Sequence, residues 1–176
     1  AEAMIPHVLG SYRAFLDTCT SWDVIRDSTD LLVCFGGIPL KNGQICQGGT
    51  GRHTQREGLL AAHAAGVHFV NISPIRSDLL EDVGGEWLAP VPNTDVAIML
   101  GLAHTLYIEG LSNQDFLDRY TTGFERFLPY LLGQTDGVPK TADWAAAISE
   151  IPAETLRNLA RRMAAGRTMI SVSWSL

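Results

Sequence analysis

Two continuous apolar runs with one helical pattern between them constrain the fold of this chain more than any other feature. The first run, Leu31–Phe35, ends at a pair of glycines, and the second, residues 67–72, ends at a Ser-Pro pair. Apolar runs of this length without polar alternation are typical of strands buried on both faces of a parallel sheet. Residues 56–65 between them have apolar side chains at helical spacing and stop at Gly66. This order predicts a right-handed βαβ unit.

The rest of the chain extends this α/β pattern. A third short strand is predicted over 86–90, followed by helices over 96–109, 112–120, 124–132, 142–149 and 153–165. A last strand is predicted over 168–173. We therefore expect a three-layer α/β domain with a mainly parallel sheet that contains residues 31–36, 67–72 and 168–173, and with a helical excursion before the last strand.

The two ends of the chain indicate a segment of something longer. The N-terminus has neither an initiator methionine nor a basic-then-apolar leader, and the C-terminus stops inside the strand-like run that ends at Trp174. We expect residues 1–176 to form a single domain of a larger protein. In it, residues 1–29 are a helical lead-in with short helices over 2–8 and 22–26, and residues 30–176 are the α/β domain.

Charge and cysteine content argue against several classes of function. The 176 residues include 13 Lys and Arg against 19 Asp and Glu, a formal charge of −6, so a basic surface for nucleic acid or an anionic membrane is not expected. The three cysteines form no CxxC pair, which argues against a zinc or iron–sulfur site and a disulfide-stapled fold. No apolar stretch approaches the roughly 20 residues that span a bilayer. We expect no nucleic acid partner, no membrane insertion and no metal ligand in this segment.

The loops after the first three predicted strands contain the candidate binding residues. Ligands of open parallel sheets bind at the carboxyl ends of the strands. The candidates are Gly36, Gly37, Pro39, Ser73, Pro74, Arg76 and Asp95. They supply a tight glycine turn, a guanidinium for a phosphate or ring edge, and a carboxylate that can accept two N–H bonds from a guanine edge. The alternative is structural: the prolines end strands, Arg76 pairs with Asp78, and Thr94 or Asp95 caps a helix.

Other motifs point to no second site. The glycine cluster at 48–51 is neither a P-loop nor a dinucleotide fingerprint, and it is predicted to be a flexible surface loop, with a phosphate-binding turn as the alternative. Ordinary NAD binding is disfavoured because no GxGxxG follows the first strand and the second ends at Ser73 rather than an acidic residue. The histidines show no metal-ligand spacing, Cys34 is expected in the core, and Trp87 and Trp144 are expected to be packing residues.

Six segments in the right order resemble the molybdopterin oxidoreductases, and within them the dimethyl sulfoxide, trimethylamine N-oxide and biotin sulfoxide reductase branch. They are Asn71–Asp78, Trp87–Leu106, Glu109–Leu111, Asp115–Leu117, Tyr120–Phe124 and Pro139–Ala146. The resemblance covers nearly the whole chain, and only the loop from Gly43 to Thr54 departs from it noticeably. It implies a Rossmann-like domain that binds the nucleotide end of one of two molybdopterin guanine dinucleotides holding a molybdenum.

The resemblance also implies roles for individual residues. Gly36, Gly37 and Pro39 approach the cofactor through backbone atoms, whereas Ser73, Pro74 and Arg76 line the guanosine and phosphate. Asp95 accepts hydrogen bonds from the guanine N1–H and exocyclic amine. Trp174 matches the tryptophan of a loop that touches the cofactor. No residue of this segment is implied as an acid, base, nucleophile or metal ligand, because the molybdenum-ligating serine of this branch lies upstream.

In the complete enzyme the resemblance implies oxygen-atom transfer from S-oxides or N-oxides, with the other domains of the reductase and an electron donor protein as partners. The isolated chain is expected to contain no molybdenum and to catalyse nothing. The compartment, bacterial cytoplasm or periplasm, stays open. Two alternatives also stay open at this stage: a fragment of a nicotinamide-dependent dehydrogenase, and a structural interaction domain.

Overall fold

The computed structural model describes residues 3–13, 20–46 and 49–172. The strands of its main sheet are β1 (Leu31–Phe35), β4 (His68–Ile72), β5 (Glu86–Leu88) and β6 (Thr168–Val172). These four strands are all parallel and lie in the order β5-β4-β1-β6. Two further strands, β2 (Ile45–Cys46) and β3 (Gly49–Thr50), pair antiparallel in a separate small hairpin. The predicted parallel sheet is confirmed.

Helices occupy both faces of the main sheet. They are α1 (Ile5–Leu9), α2 (Trp22–Ser28), α3 (Gln55–Ala64), α4 (Asp95–Ile108), α5 (Gln114–Tyr120), α6 (Phe124–Leu131), α7 (Ala142–Ser149) and α8 (Ala153–Ala165). Helix α4 packs against α7 and α8, and α2 packs against α3. Short 3-10 turns over Leu40–Gly43, Arg76–Asp78 and Glu81–Val83 lie in the connections.

The alternation of side chains along the strands produces two apolar layers. Val33 and Ile72 point toward α4, α7 and α8 and share a core with Leu102 and Leu156. On the opposite face, Cys34 lies in a second core with residues of α2 and α3. Burial raises the pKa of the Cys34 thiol to about 12, which fits the expected core residue. The three-layer α/β architecture with a helical excursion before β6 is therefore confirmed.

Most predicted boundaries agree within two residues, but the first helix, predicted over 2–8, begins at Ile5, so that Pro6 falls in its first turn. The third strand ends at Leu88 rather than at residue 90. The surface loop that we predicted for the glycine cluster at 48–51 is wrong in part, because Gly49–Thr50 is a strand of the β2–β3 hairpin. Two-residue strands are too short to produce a periodic apolar pattern, so the sequence contains no signal for them.

The strand order places a topological switch point between β1 and β6. From β1 the chain moves outward to β4 and β5, and then returns to add β6 on the other side of β1. Because the strands are parallel, the loops after β1, β4 and β5 all lie at one edge of the sheet, which we call the carboxyl edge. Ligands of doubly wound sheets bind at this edge.

No helix in the described part of the chain has the length and apolar character needed to cross a membrane.

Candidate functional site

The glycine turn after β1 closes against the loop after β4. Gly36 and Gly37 have φ of +77° and +70°, in the left-handed region that favours glycine. A Cβ on Gly37 would lie 2.5 Å from Cβ and 2.6 Å from the carbonyl oxygen of Asp78. The Ile38 amide donates to that same carbonyl at 2.7 Å. Only glycine therefore fits at position 37, and the two loops form one continuous wall.

Pro39 is a buried support for this wall. Its carbonyl accepts a hydrogen bond from Gln55 Nε2 at 3.2 Å, and the Ile38 carbonyl accepts one from the same nitrogen at 3.1 Å. Helix α3 thus fixes the backbone that leaves the glycine turn.

Ser73 organises the loop after β4 from the inside. It is buried, its hydroxyl donates to Asp78 Oδ2 at 2.7 Å, and the Ile75 amide donates to the same hydroxyl at 3.2 Å. The Ser73 carbonyl accepts a bond of 2.8 Å from the indole nitrogen of Trp87 on β5. Pro74 follows as an exposed residue. Because Asp78 is bonded to Ser73, the alternative that Arg76 pairs with Asp78 is wrong.

Arg76 is an exposed cation at this edge. Its guanidinium lies 5.9 Å from the centre of the Trp87 ring, and it forms no ion pair with any residue that the structure describes. Trp87 is 40% exposed, so the expectation that it merely packs is wrong. An exposed guanidinium beside an aromatic face is a typical arrangement for an anionic or planar ligand.

Asp95 is the first residue of α4, after β5. It is only 8% exposed, yet its carboxylate accepts no hydrogen bond and forms no ion pair within the described ranges. The cap position belongs to Thr94, whose hydroxyl donates to the Val91 carbonyl at 2.6 Å instead of accepting from the helix. The alternative that Thr94 or Asp95 caps α4 through its side chain is therefore wrong.

The structure brings the first two candidate loops together and places the third at the same edge. A cleft of about 580 Å³ lies beside them, lined by Asn71, Arg76 and Trp87 among others. Asp95 follows β5, the neighbour of β4. Trp174 lies outside the described residues.

The sequence analysis did not single out Asn71 as a residue of this edge, and it gave Asp78 and Trp87 structural roles only. Asn71 is 1% exposed, and its Oδ1 has no hydrogen-bond partner in the described part of the chain. A polar residue inside an otherwise apolar strand is a signal that could have identified it. Asp78 and Trp87 matter through contacts that sequence spacing does not reveal.

The other titratable groups that the structure describes do not form a second site. His63 and His68 are exposed, and partial burial lowers the pKa of His104 on α4. Within residues 3–13, 20–46 and 49–172, no cluster of three or more His, Cys, Asp or Glu side chains could hold a metal ion.

Comparison with known proteins gives a consistent set of relatives, although no family model matches the chain. It is 43% identical over its full length to the dimethyl sulfoxide/trimethylamine N-oxide reductase of Rhodobacter capsulatus, of which it covers 21%. It is 39% identical to a trimethylamine-N-oxide reductase of Haemophilus influenzae, again covering 21%. It is 40% identical to the biotin sulfoxide reductase of Cereibacter sphaeroides, covering 23%. The chain spans about a fifth of the length of these relatives.

Among solved structures, the chain is similar to acetylene hydratase from Pelobacter acetylenicus. The TM-score is 0.63 at 22% sequence identity, over 85% of this chain and 19% of that chain. At this identity the likeness supports the fold alone.

Proposed function

Because the chain belongs to the dimethyl sulfoxide, trimethylamine N-oxide and biotin sulfoxide reductase branch of the molybdopterin oxidoreductases, we propose that it binds the nucleotide end of a molybdopterin guanine dinucleotide. In this proposal, residues 1–176 are one domain of a molybdenum S-oxide or N-oxide reductase. The observation that carries it is Asp95, a largely buried residue at the carboxyl edge of a doubly wound sheet whose carboxylate has no hydrogen-bond partner among the described residues.

The glycine turn fits the close approach that a dinucleotide needs. Gly37 has no space for a Cβ on the protein side, and its positive φ turns the backbone sharply after β1. In the proposal, the turn made by Gly36 and Gly37 approaches the dinucleotide through backbone atoms, and Gly36 is its half-buried residue. Pro39, supported by Gln55, holds the exit of this turn in place.

Asp95 fits the recognition of guanine rather than adenine. An ionised carboxylate only accepts hydrogen bonds, and guanine presents two adjacent donors, N1–H and the exocyclic amine. Adenine lacks this donor pair. A carboxylate at the first position of a helix is also held by the partial positive charge of the helix N-terminus. These properties make Asp95 the residue that sets nucleotide identity in the proposal.

Arg76 and the Ser73–Pro74 turn are the proposed contacts for the guanosine and phosphate. Arg76 is exposed and can bind an anionic oxygen, whereas the Ser73 hydroxyl already donates its hydrogen bond to Asp78 within the loop. We assign Ser73 the role of shaping this turn and Arg76 the role of pairing with phosphate. Trp174, outside the described residues, is proposed as a further cofactor contact.

In the complete reductase, the molybdenum of a bis(molybdopterin guanine dinucleotide) cofactor supplies oxygen-atom transfer chemistry. The residues of this chain bind and orient the nucleotide, and none of them is assigned a proton or an oxygen atom. The other domains and an electron donor protein are the proposed partners.

Nucleotide titration of this chain tests the proposal. GDP, ADP and NADH are each added while binding is followed by isothermal titration calorimetry and the thermal midpoint. We expect GDP to bind and to raise the midpoint, and ADP and NADH to be much weaker. Binding of NADH without a response to GDP would support the dehydrogenase alternative, and no response to any nucleotide would support a structural domain.

Replacement of Asp95 tests the guanine contact. Loss of hydrogen bonds to a charged group costs about 2 kcal/mol, so Asp95→Ala should weaken GDP binding about thirtyfold. Asp115→Ala, at an exposed aspartate in the first turn of α5, is the matched control and should leave GDP affinity unchanged. Equal GDP affinity of the Asp95→Ala and wild-type chains would contradict this role.

A further inference from the structure

Asn71 is a buried amide at the centre of the carboxyl edge. It lies in β4, opposite Cys34 of β1 on one side and Trp87 of β5 on the other. Its exposed fraction is 1%, so the side chain has no access to bulk water. Strand alternation puts it on the same face as Phe69, where the loop after β4 folds back.

The Nδ2 group of Asn71 holds the backbone on both sides of Arg76. It donates to the Arg76 carbonyl at 3.2 Å and, more weakly, to the Ile75 carbonyl at 3.5 Å. The Ile75 carbonyl also accepts the Asp78 amide at 3.1 Å. Ile75 and Arg76 are otherwise exposed. One buried amide therefore links an exposed loop to the rigid sheet.

The other half of the amide has no partner. Asn71 Oδ1 is buried and has no hydrogen-bond partner among the residues that the structure describes, and it lies 3.1 Å from the position that a Cβ on Gly37 would occupy. An unpaired buried oxygen opposes folding, and an apolar side chain of the same size would avoid it. Since each buried polar group left unpaired requires an explanation, stability alone does not account for asparagine here.

We propose that Asn71 is a positioning residue for Arg76. It does not touch the nucleotide itself; it fixes the conformation of the loop that presents the guanidinium beside Trp87. The consequence for nucleotide binding rests on the proposed function, whereas the ordering of the loop is a property of the chain alone. The two parts are therefore tested separately.

Amide hydrogen exchange tests the ordering of the loop. In Asn71→Leu, the amides of Ile75 and Asp78 should exchange about tenfold faster, because the loop opens locally without unfolding the sheet. The thermal midpoint should fall little, since the variant also removes the unpaired oxygen. Asn71→Ala serves as the second variant in case leucine prevents folding, and Asn158→Leu on the exposed face of α8 is the matched control. Unchanged exchange at Ile75 and Asp78 would overturn the proposal.

A double-mutant cycle with Arg76 tests the consequence for binding, with GDP as the probe. If Asn71 acts through Arg76, Asn71→Leu should lower GDP affinity in the wild-type chain but have no effect in an Arg76→Ala chain. Additive losses would overturn the positioning role, because a merely structural contribution moves both backgrounds equally. If the wild-type chain does not bind GDP, the proposed function fails in this chain, and the exchange measurement alone decides the inference on Asn71.

Discussion

Two buried charged residues of this molecule differ in how many protein contacts their charged groups make. Lys140, just before α7, is 2% exposed, and its ammonium has four protein contacts: Asp136 Oδ2 at 2.6 Å, the Val138 carbonyl at 2.5 Å, and the ring centres of Tyr130 and Trp144 at 4.4 and 5.5 Å. Asp95 is 8% exposed and has no partner in the described part of the chain.

The difference separates a structural site from a binding site. Burial of an ionised group is unfavourable unless hydrogen bonds and opposite charge compensate for lost water. Lys140 receives this compensation entirely from the protein. At the carboxyl edge, neither the Asp95 carboxylate nor the Oδ1 of Asn71 has a partner among the described residues, and of the two only the Asn71 oxygen is itself fully buried. An acceptor without a protein partner, such as the Asp95 carboxylate, can pair with the donors of a polar ligand.

The largest expected effect is on stability, at Lys140. Lys140→Ala removes a buried side chain together with its ion pair and ring contacts, and should lower the free energy of unfolding by about 4 kcal/mol. Urea unfolding followed by tryptophan fluorescence measures this value. The variant should bind GDP like the wild type once folded. A loss of GDP affinity with little loss of stability would instead show that Lys140 takes part in nucleotide binding.

Two glycine variants measure how closely the glycine turn and the Asp78 loop approach each other at the carboxyl edge. Gly37 and Gly84 both have positive φ, but only Gly37 is packed against other atoms, since a Cβ on Gly84 meets nothing within 4 Å. Gly84→Ala should cost about 1 kcal/mol for the backbone conformation alone. Gly37→Ala should cost about 3 kcal/mol, because it also pushes away the Asp78 loop. The difference between the two unfolding free energies measures the close approach, and equal values would contradict it.

Two helix starts separate capping from ligand binding. The Thr141 hydroxyl accepts the Trp144 amide at 3.1 Å and caps α7, so Thr141→Ala should cost about 1 kcal/mol of stability and leave GDP affinity unchanged. Asp95→Ala should do the reverse, with a stability change of about 0.5 kcal/mol and a large loss of affinity. Chemical denaturation measures the stability of both variants, and calorimetry measures their GDP affinity. A large stability loss in Asp95→Ala would show a structural role.

The sequence predicts the sheet better than the site. The runs at β1 and β4 are long and apolar, so their residue types alone predict strands that are buried between two layers of helices. Helix ends are marked by glycines such as Gly66 and Gly110, which have positive φ. The hairpin at 45–50 has no such signal, because its strands have two residues each.

The candidate loops were also predictable, because the carboxyl ends of parallel strands must meet at one edge. Their internal bonding was not. Whether Asp78 pairs with Ser73 or with Arg76 depends on the turn geometry over Arg76–Asp78, which residue spacing does not fix. The burial of Lys140 could not be predicted from the sequence either, because the packing of α6 and α7 is what brings Tyr130 and Trp144 next to it.

The smallest expected effect lies at the opposite edge of the sheet, where charges are paired in solvent. Asp30 precedes β1 and accepts bonds from the Arg167 backbone amide at 2.8 Å and from its guanidinium at 2.7 and 3.1 Å. These hydrogen bonds, the side-chain ones first, lower the pKa of the Asp30 carboxyl from 3.8 to about 2. A carboxyl with a lowered pKa in the folded state stabilises the protein above its unfolded pKa, and this contribution is lost as pH falls through the folded value.

The free energy of unfolding should therefore decline between pH 4 and pH 2 in part because Asp30 becomes protonated. Asp30→Asn cannot titrate, so the decline across this range should be shallower in the variant than in the wild type. Urea unfolding at a series of pH values measures both slopes, and Asp115→Asn on exposed α5 is the control that should keep the wild-type slope. GDP affinity at neutral pH should be unchanged, because this pair lies at the edge opposite Asp95. Equal slopes for Asp30→Asn and wild type would show that the Asp30–Arg167 pair contributes nothing to the pH dependence of stability. A changed GDP affinity would show that this pair influences the nucleotide site at the opposite edge of the sheet.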